Sequence, residues 1–388
     1  MNTPDVMAPE AAEQRREIVA LAREFAAREI APCAAEWDRA GALPRELFTK
    51  LGELGFFGMR IPEQYGGLGL DPLTYLMVLE EIAAADASVS ITLGVHNSLA
   101  CGMLLRHGSE AQKQWWLPSL AGGETVGAFA LSEPEAGSDA ASVRAQARRD
   151  GDGWILNGTK SWVTSGDLAG LLVVMARTDT PEARRGSHGI SAFLVPGGAP
   201  GVAHGKAEDK MGLRASRTTG FAMHEVRLGS EALLGEEGKG LAYALGVLDQ
   251  GRLGVAAQAI GIARTALEWA VKYSAERQQF GRPIREFQGI QFKLADMAAR
   301  VAAARALLHE TAQQEIAGSR GAARASMAKL FASETAMWVT TQAVQVFGGY
   351  GYMRDYPVER LFRDAKVTEI YEGTSEIQRL VIARGLFA

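Results

Sequence analysis

Cysteine is scarce in this chain, with only Cys33 and Cys101 among 388 residues. Two thiols cannot build a disulfide framework; they fit a reducing compartment and read as small packing residues, not reactive groups. Neither sign of charge dominates: 41 Lys and Arg against 45 Asp and Glu leave a net charge of −4, which argues against nucleic acid as a partner on bulk electrostatics. No apolar run reads as long enough to span a bilayer. The start "MNTPDVMAPEAAEQ" lacks the basic and apolar stretches of a secretory signal and is too acidic for a transit peptide, so a cytoplasmic location is expected.

Several catalytic signatures are missing too. No G-x-G-x-x-G opens a βαβ unit, and "GEEGKG" lacks both the Walker spacing and the following Ser or Thr. The six histidines are scattered, His309-Glu310 has no second histidine at the right spacing, and no cysteine pair offers metal ligands, so no metal site is expected. G-x-S-x-G is absent. An enzyme made from what remains needs acid–base chemistry and an organic cofactor held by an unusual surface.

What is present is ordinary globular material, 47% hydrophobic and 22% charged, long enough for two or three domains. Residues 1–125 read as helical: Ile18, Leu21 and Phe25 share one helical face, and Pro32 follows. Residues 126–232 read as a β module. There Val143, Ala145 and Ala147 alternate with polar residues, Asp150-Gly151 marks a turn, Asn157-Gly158 signals a hairpin, and "LLVVMA" and "ISAFLV" look like buried strands. Residues 233–388 return to long helices, in which Ile290, Leu294, Met297, Val301, Ala304 and Leu308 trace the seam of a bundle. Helix, sheet, helix is the α+β order.

Five short segments carry chemical interest. "AFALSEPEAGSD" sets Ser132 and Ser138 among small residues and backbone donors, suited to a planar ligand, although alone it reads as a tight junction. "KSWVTSG" puts Trp162 and Thr164 on one strand face, as a flavin or nicotinamide wall or simply as core. "ERQQFGRPI" offers Arg277 and Arg282 for a pyrophosphate; taken alone it is a solvated helix end. "QVFGGYGYMRDYPVERLFRDAK" lets backbone approach a ligand at its glycines, or merely ends a helix. Finally, "IYEGTSEIQR" reads as a helix start with Ser375 and Gln378 as a capping box. Glu372 stands just ahead of it, to complement the helix dipole or to take a proton.

In wording, order and spacing the whole chain resembles the acyl-CoA dehydrogenase family, most specifically in "SEPEAGSD", "GTKSWVTSG", "DKMGLRAS", "ERQQFGRPI", "FQGIQFKLADM", "QVFGGYGY" and "IYEGTSEIQR". The resemblance implies a helical N-terminal domain, a central β-sandwich or barrel-like domain and a C-terminal four-helix bundle. It also implies FAD as cofactor, a homotetramer built as a dimer of dimers, and an electron-transferring flavoprotein as electron acceptor. By resemblance, Phe129, Leu131, Ser132 and Ser138 line the flavin ring, with Trp162 and Thr164 on its other side. Arg277, Phe280 and Gln288 match pyrophosphate-side contacts, Gln345, Gly348 and Gly349 the adenine-side loop of a neighbouring subunit, and Thr374, Ser375 and Glu376 a further FAD contact. Asp249 and Arg252 match residues that hold the CoA part, and Ser138 and Gly373 also touch the thioester ligand. Ser132 stands where many members have Thr and keeps the hydroxyl.

The resemblance makes Glu372 the base that removes the α-proton of an acyl thioester while the β-hydrogen leaves as hydride to the flavin, yielding the trans-2-enoyl-CoA. Isovaleryl-type and long-chain members carry the base where this chain has Gly251, and glutaryl-type members carry an arginine where it has Ser90, four residues past Asp86. Those departures leave a short or short-branched acyl-CoA as the expected substrate. The alternatives are the same chemistry on a medium-chain acyl-CoA, or a flavin-binding relative without dehydrogenase activity.

Overall fold

The computed structural model describes residues 9–179, 188–319 and 321–387. Helix α1 (Pro9–Phe25) leads through a π turn into α2 (Ala34–Ala40) and α3 (Arg45–Glu53), and a Gly-containing loop then reaches α4 (Pro72–Ala85), α5 (Ala87–Gly94), α6 (Cys101–His107) and α7 (Glu110–Ala121). Side-chain caps set three of these starts. Asp71 accepts from the N–H of Leu73 and Thr74, Asp86 from Ser88 and Val89, and Ser109 with Gln112 closes a capping box. Helix α1 buries Val19, Ala22 and, past its end, Ala26 and Ile30 towards α4, leaving Leu21 exposed. The buried face is thus turned about one residue from the expected Ile18, Leu21 and Phe25 stripe, because the two alanines let the backbones approach closely.

Residues Ala87–His107 form one continuous helical rod of 21 residues with mean hydropathy 1.3, apolar and long enough by composition to cross a membrane. That corrects the expectation that no run reaches this length. Its apolarity has another cause: 94% of the apolar stretch is buried inside the fold, and Ser90, His96, Asn97 and Ser98 all bond to protein backbone. It is a core helix.

The central region contains β1 (Gly127–Ala130), β2 (Gln146–Asp150), β3 (Gly153–Thr164), β4 (Leu171–Arg177), β5 (Ile190–Pro196), β6 (Val202–Ala207), β7 (Thr218–Leu228) and β8 (Leu233–Leu234). They join in the order β6-β7-β3-β2-β4-β5-β8, with β1 parallel beside β4. The sheet closes over a core of its own, in which Trp154 of β3 meets the edge of Phe193 of β5 at 5.1 Å between centroids. Asp150-Gly151 makes the β2–β3 turn as expected. The second hairpin does not form. Strand β3 runs straight through Asn157-Gly158, where its register with β7 shifts at a bulge. Gly158 has φ +140°, and a β-carbon there would stand 2.7 Å from Ala145. Asn157 Oδ1 meanwhile accepts from the Glu225 N–H across the bulge at 2.9 Å.

The last region comprises α8 (Gly240–Glu276), a two-residue ribbon of β9 (Gln278–Gln279) and β10 (Arg282–Pro283), then α9 (Gln288–Ile316), α10 (Ala322–Phe347), α11 (Val358–Val367) and α12 (Ser375–Leu386). Helix α10 lies centrally, touching α8, α9, α11 and α12. Met297, Val301, Ala304 and Leu308 are buried along α9, as the seam requires.

All three regions meet at one junction. The Leu213 N–H donates to Asp364 at 2.6 Å, Arg363 forks onto Asp38 at 3.0 and 2.9 Å, and the same guanidinium reaches the Met211 carbonyl at 3.0 Å. Between them, a β-carbon on Gly212 would overlap the Arg363 carbonyl. Gly212→Ala is therefore expected to cost roughly 1–3 kcal/mol through overpacking. A calorimetric midpoint several degrees lower would show it; an unchanged midpoint would mean the junction is looser than described.

Candidate active site

Between α11 and α12 the chain turns sharply, closed by a Ser375 N–H to Glu369 carbonyl bond of 2.9 Å. Glu372 (φ +52°) and Gly373 (φ +94°) are both left-handed. For glutamate that conformation costs about 1–2 kcal/mol and persists only where its surroundings impose it. They do so here. The Tyr371 hydroxyl bonds Gln258, whose amide donates to the Ala87 carbonyl at 2.7 Å. Gln378 Nε2 donates to the carbonyls of Glu372 at 3.2 Å and Gly373 at 2.8 Å. Lys329 Nζ donates to the Gly373 carbonyl as well, at 2.8 Å.

The expected capping box does not form, and the cap sits one residue earlier. Thr374 is the N-cap, accepting from the Ile377 N–H at 3.4 Å, and Ser375 is the first helical residue. Gln378 is taken by the two carbonyls before the cap. From the sequence Gln378 is expected only as half of the cap, and Lys329 is not expected at the site at all. The only sign of Lys329 there is a charge on a stripe of buried alanines.

Glu372 is half-buried, with its carboxyl group turned to the interior. Its Oε2 is buried and has no hydrogen-bond partner among the described residues. The oxygen lies against Gly251 of α8, where a β-carbon would overlap it and would stand 2.9 Å from Leu99 Cδ2. Burial pushes the carboxyl up to about 7, opposed by the positive charges of Lys329 and then Arg252. A carboxylate that only balanced a helix dipole would be hydrated or bonded to backbone N–H groups. At Oε2 this one is enclosed and unpaired, placed to accept a proton.

Arg252 is buried beside the base, its Nη1 on Asp249 at 2.7 Å and on Ser326 Oγ at 3.4 Å. Asp249 opens onto a cleft lined also by Arg106, Gln250, Thr311 and Arg324. In the other direction the space closes quickly. A β-carbon on Gly254 would already touch Leu79 at 3.6 Å and the Tyr75 hydroxyl at 4.0 Å. Ser90 is buried and donates to the Leu79 carbonyl at 3.1 Å.

The residues expected at a cofactor fall into three groups. Phe129 lies in β1, with Leu131 and Ser132 just beyond the strand; buried Lys160 holds the Leu131 carbonyl at 3.0 Å, and the Ser161 N–H holds that of Ser132 at 3.0 Å. Trp162 is 64% exposed and Thr164 half-buried, with Val163 buried between them, while Ser138 lies exposed on the loop. Arg277, Phe280, Gly348 and Gly349 share a second place, lining a cavity of about 850 Å³ with Tyr273, Phe347 and Tyr350. Gln288 sits between two of its lining residues, and Gln345 is exposed on the last turn of α10. The third group is Thr374, Ser375 and Glu376, where the buried Ser375 Oγ has no partner among the described residues.

These surfaces fit a long nucleotide with a planar ring. Trp162 and the 93%-exposed Phe280 present aromatic faces, a β-carbon on Gly348 or Gly349 would meet nothing within 4 Å, and an orphaned hydroxyl waits at a helix N-terminus. With an enclosed carboxylate oxygen between α8 and α12, the features suit an enzyme that joins acid–base chemistry to a long nucleotide cofactor.

Comparison with known proteins agrees. The chain matches the family models for the N-terminal, middle and C-terminal domains of acyl-CoA dehydrogenase over residues 12–124, 128–226 and 238–387. It is 48% identical over 361 residues to the mitochondrial short-chain specific acyl-CoA dehydrogenase of Mus musculus, covering 93% of this chain and 87% of that protein. Butyryl-CoA dehydrogenase from Megasphaera elsdenii superposes with a TM-score of 0.94 at 44% identity, covering 99% of this chain and 100% of that one. A chain from work on the electron transferring flavoprotein of Acidaminococcus fermentans gives 0.94 at 47% identity, covering 98% and 99%. Glutaryl-CoA dehydrogenase from Mycobacterium smegmatis in complex with FADH2 gives 0.91 at 35%, covering 96% and 94%. The chain belongs to the acyl-CoA dehydrogenase family, and its cofactor is FAD.

Proposed function

We propose that this protein dehydrogenates a short or short-branched acyl-CoA to the trans-2-enoyl-CoA, with Glu372 as the base. The observation that carries the reading is the enclosed, unpartnered Oε2 of Glu372 facing Gly251. A thioester α-C–H is a weak acid, and a desolvated carboxylate is matched to it. Among the described residues no acceptor engages the Glu372 N–H, so it is free to donate to the thioester carbonyl oxygen as enolate-like charge develops. Gly373 lets the chain pass close to the substrate. FAD, when bound, accepts the β-hydrogen as hydride.

The remaining assignments belong to the same proposal. Phe129, Leu131, Ser132, Ser138, Trp162 and Thr164 would hold the ring, and Arg277, Phe280 and Gln288 the pyrophosphate side. Gln345, Gly348 and Gly349 would serve the adenine end of a neighbouring copy, and Thr374, Ser375 and Glu376 a further stretch of FAD. Asp249 and Arg252 would serve the CoA part, with Ser138 and Gly373 also at the thioester. A homotetramer is supported by exposed Phe280, Phe292 and Tyr352 on the last region. An electron-transferring flavoprotein as acceptor is supported by the relative studied with one. The division at residues 125/126 and 232/233 and the cytoplasmic location are kept as part of this reading.

Support for a short acyl chain comes from Leu79 and Tyr75, which a β-carbon on Gly254, one turn beyond Gly251, would touch. A panel of acyl-CoA thioesters scored by kcat/KM with an artificial acceptor tests this. We expect a maximum at butyryl-CoA or its branched neighbours and a fall of about tenfold or more by octanoyl-CoA, at about 1–3 kcal/mol for each misfitted methylene. A maximum at octanoyl-CoA would select the medium-chain alternative.

A further inference from the structure

Lys329 lies on the buried stripe of α10 among Ala325, Ala328, Ala332 and Ala336, and is itself fully buried. Its ammonium is held by a carbonyl, that of Gly373, and not by a carboxylate. Burying a lysine on such terms is costly, so its place beside the turn that carries Glu372 asks for a reason. The Gly373 carbonyl receives two donors, Lys329 and Gln378, each at 2.8 Å. One comes from α10 and the other from α12, so two helices fix the turn through a single oxygen.

We propose that Lys329 is a positioning residue for the base: by pinning the Gly373 carbonyl it holds the left-handed Glu372–Gly373 pair so that the carboxylate faces Gly251 and the substrate. The inference rests on the reading of Glu372 as base. Electrostatics supports the geometry. Lys329 is the foremost charge drawing the Glu372 carboxyl back from the rise that burial causes, with Arg252 second. Burial lowers Lys329 to about 8, with Glu372, Glu369 and Glu376 raising it and Arg252 lowering it. The other groups around the pair are Asp249, bonded to Arg252, Lys366, bonded to Glu369, and the buried hydroxyls of Tyr75 and Tyr371. Removing the ammonium strengthens the hold of Glu372 on its proton, so the pH at which the base ionises moves upward.

The test is Lys329→Met holoenzyme, followed by anaerobic bleaching of the flavin with butyryl-CoA across pH. FAD content and KM should stay within about threefold of the parent. The bleaching rate at neutral pH should fall about tenfold or more, and the acid limb of the profile should move up by roughly one unit. Lys329→Arg, which keeps the charge, should return the limb towards its original position. A Lys329→Met profile with an unmoved limb and a rate within about twofold would overturn the proposal. So would failure of both Lys329→Met and Lys329→Gln to fold with FAD, because that would make the lysine structural. Undiminished bleaching in Glu372→Gln removes the base reading itself, whereas an unmoved Lys329→Met limb removes only this inference.

Discussion

Glu372→Gln is expected to fold, retain FAD and lose reduction by butyryl-CoA by about a thousandfold, within the range for removing a positioned base. Glutamine matches the shape of glutamate and keeps the same backbone, so the left-handed turn and its bonds to Gln378 and Lys329 are preserved. What disappears is the capacity to accept a proton at Oε2. The measurement is stopped-flow bleaching without oxygen, beside the flavin spectrum and the melting temperature of each protein. The spectrum should be unchanged and the midpoint no lower, because an uncharged amide is cheaper to enclose than an unpaired carboxylate. Bleaching at the parental rate would end the assignment of Glu372.

Gly251→Ala is the second large effect. Its β-carbon would occupy the position of Glu372 Oε2 and press on Leu99 at 2.9 Å. Helix α8 is buried around this point, with Arg252, Leu253 and Gly254 all enclosed, so the helix cannot yield. The carboxylate must rotate away, and a displacement near 1 Å is worth about a hundredfold in rate. We expect kcat to fall by that order while FAD binding, which involves other surfaces, is unchanged. Activity within about threefold of the parent would show that the carboxylate works from another position.

Much of this was legible in the residues, for reasons that are physical. The buried strands Leu171–Arg177 and Ile190–Pro196 are apolar but for Arg177 and Ser191 because both faces are covered. The four-three stepping from Met297 to Leu308 is the bundle seam itself. Asn157-Gly158 misleads because readiness for left-handed backbone serves a bulge as well as a turn. Only the closeness of Ala145 on the neighbouring segment decides between them. Leu21 misleads because a large residue in an amphipathic pattern need not be the buried one when alanines beside it permit closer contact. Thr374 and Ser375 are both good caps, and the choice falls to Thr374 because the Gln378 amide is already engaged. Lys329 could be noticed as a charge on a stripe of small residues, but its partner lies far along the chain and only the fold brings them together. The meeting of Gly251 with Glu372 is hidden for the same reason.

The left-handed backbone at residue 372 has a consequence for the history of such a chain. Glycine or asparagine would rest there more comfortably than glutamate, and glycine would also take an unsatisfied oxygen out of the interior. Selection for robustness and selection for turnover therefore pull in opposite directions at one codon. A duplicated copy released from its metabolic duty would find a downhill substitution waiting there, and would grow sturdier as it fell silent.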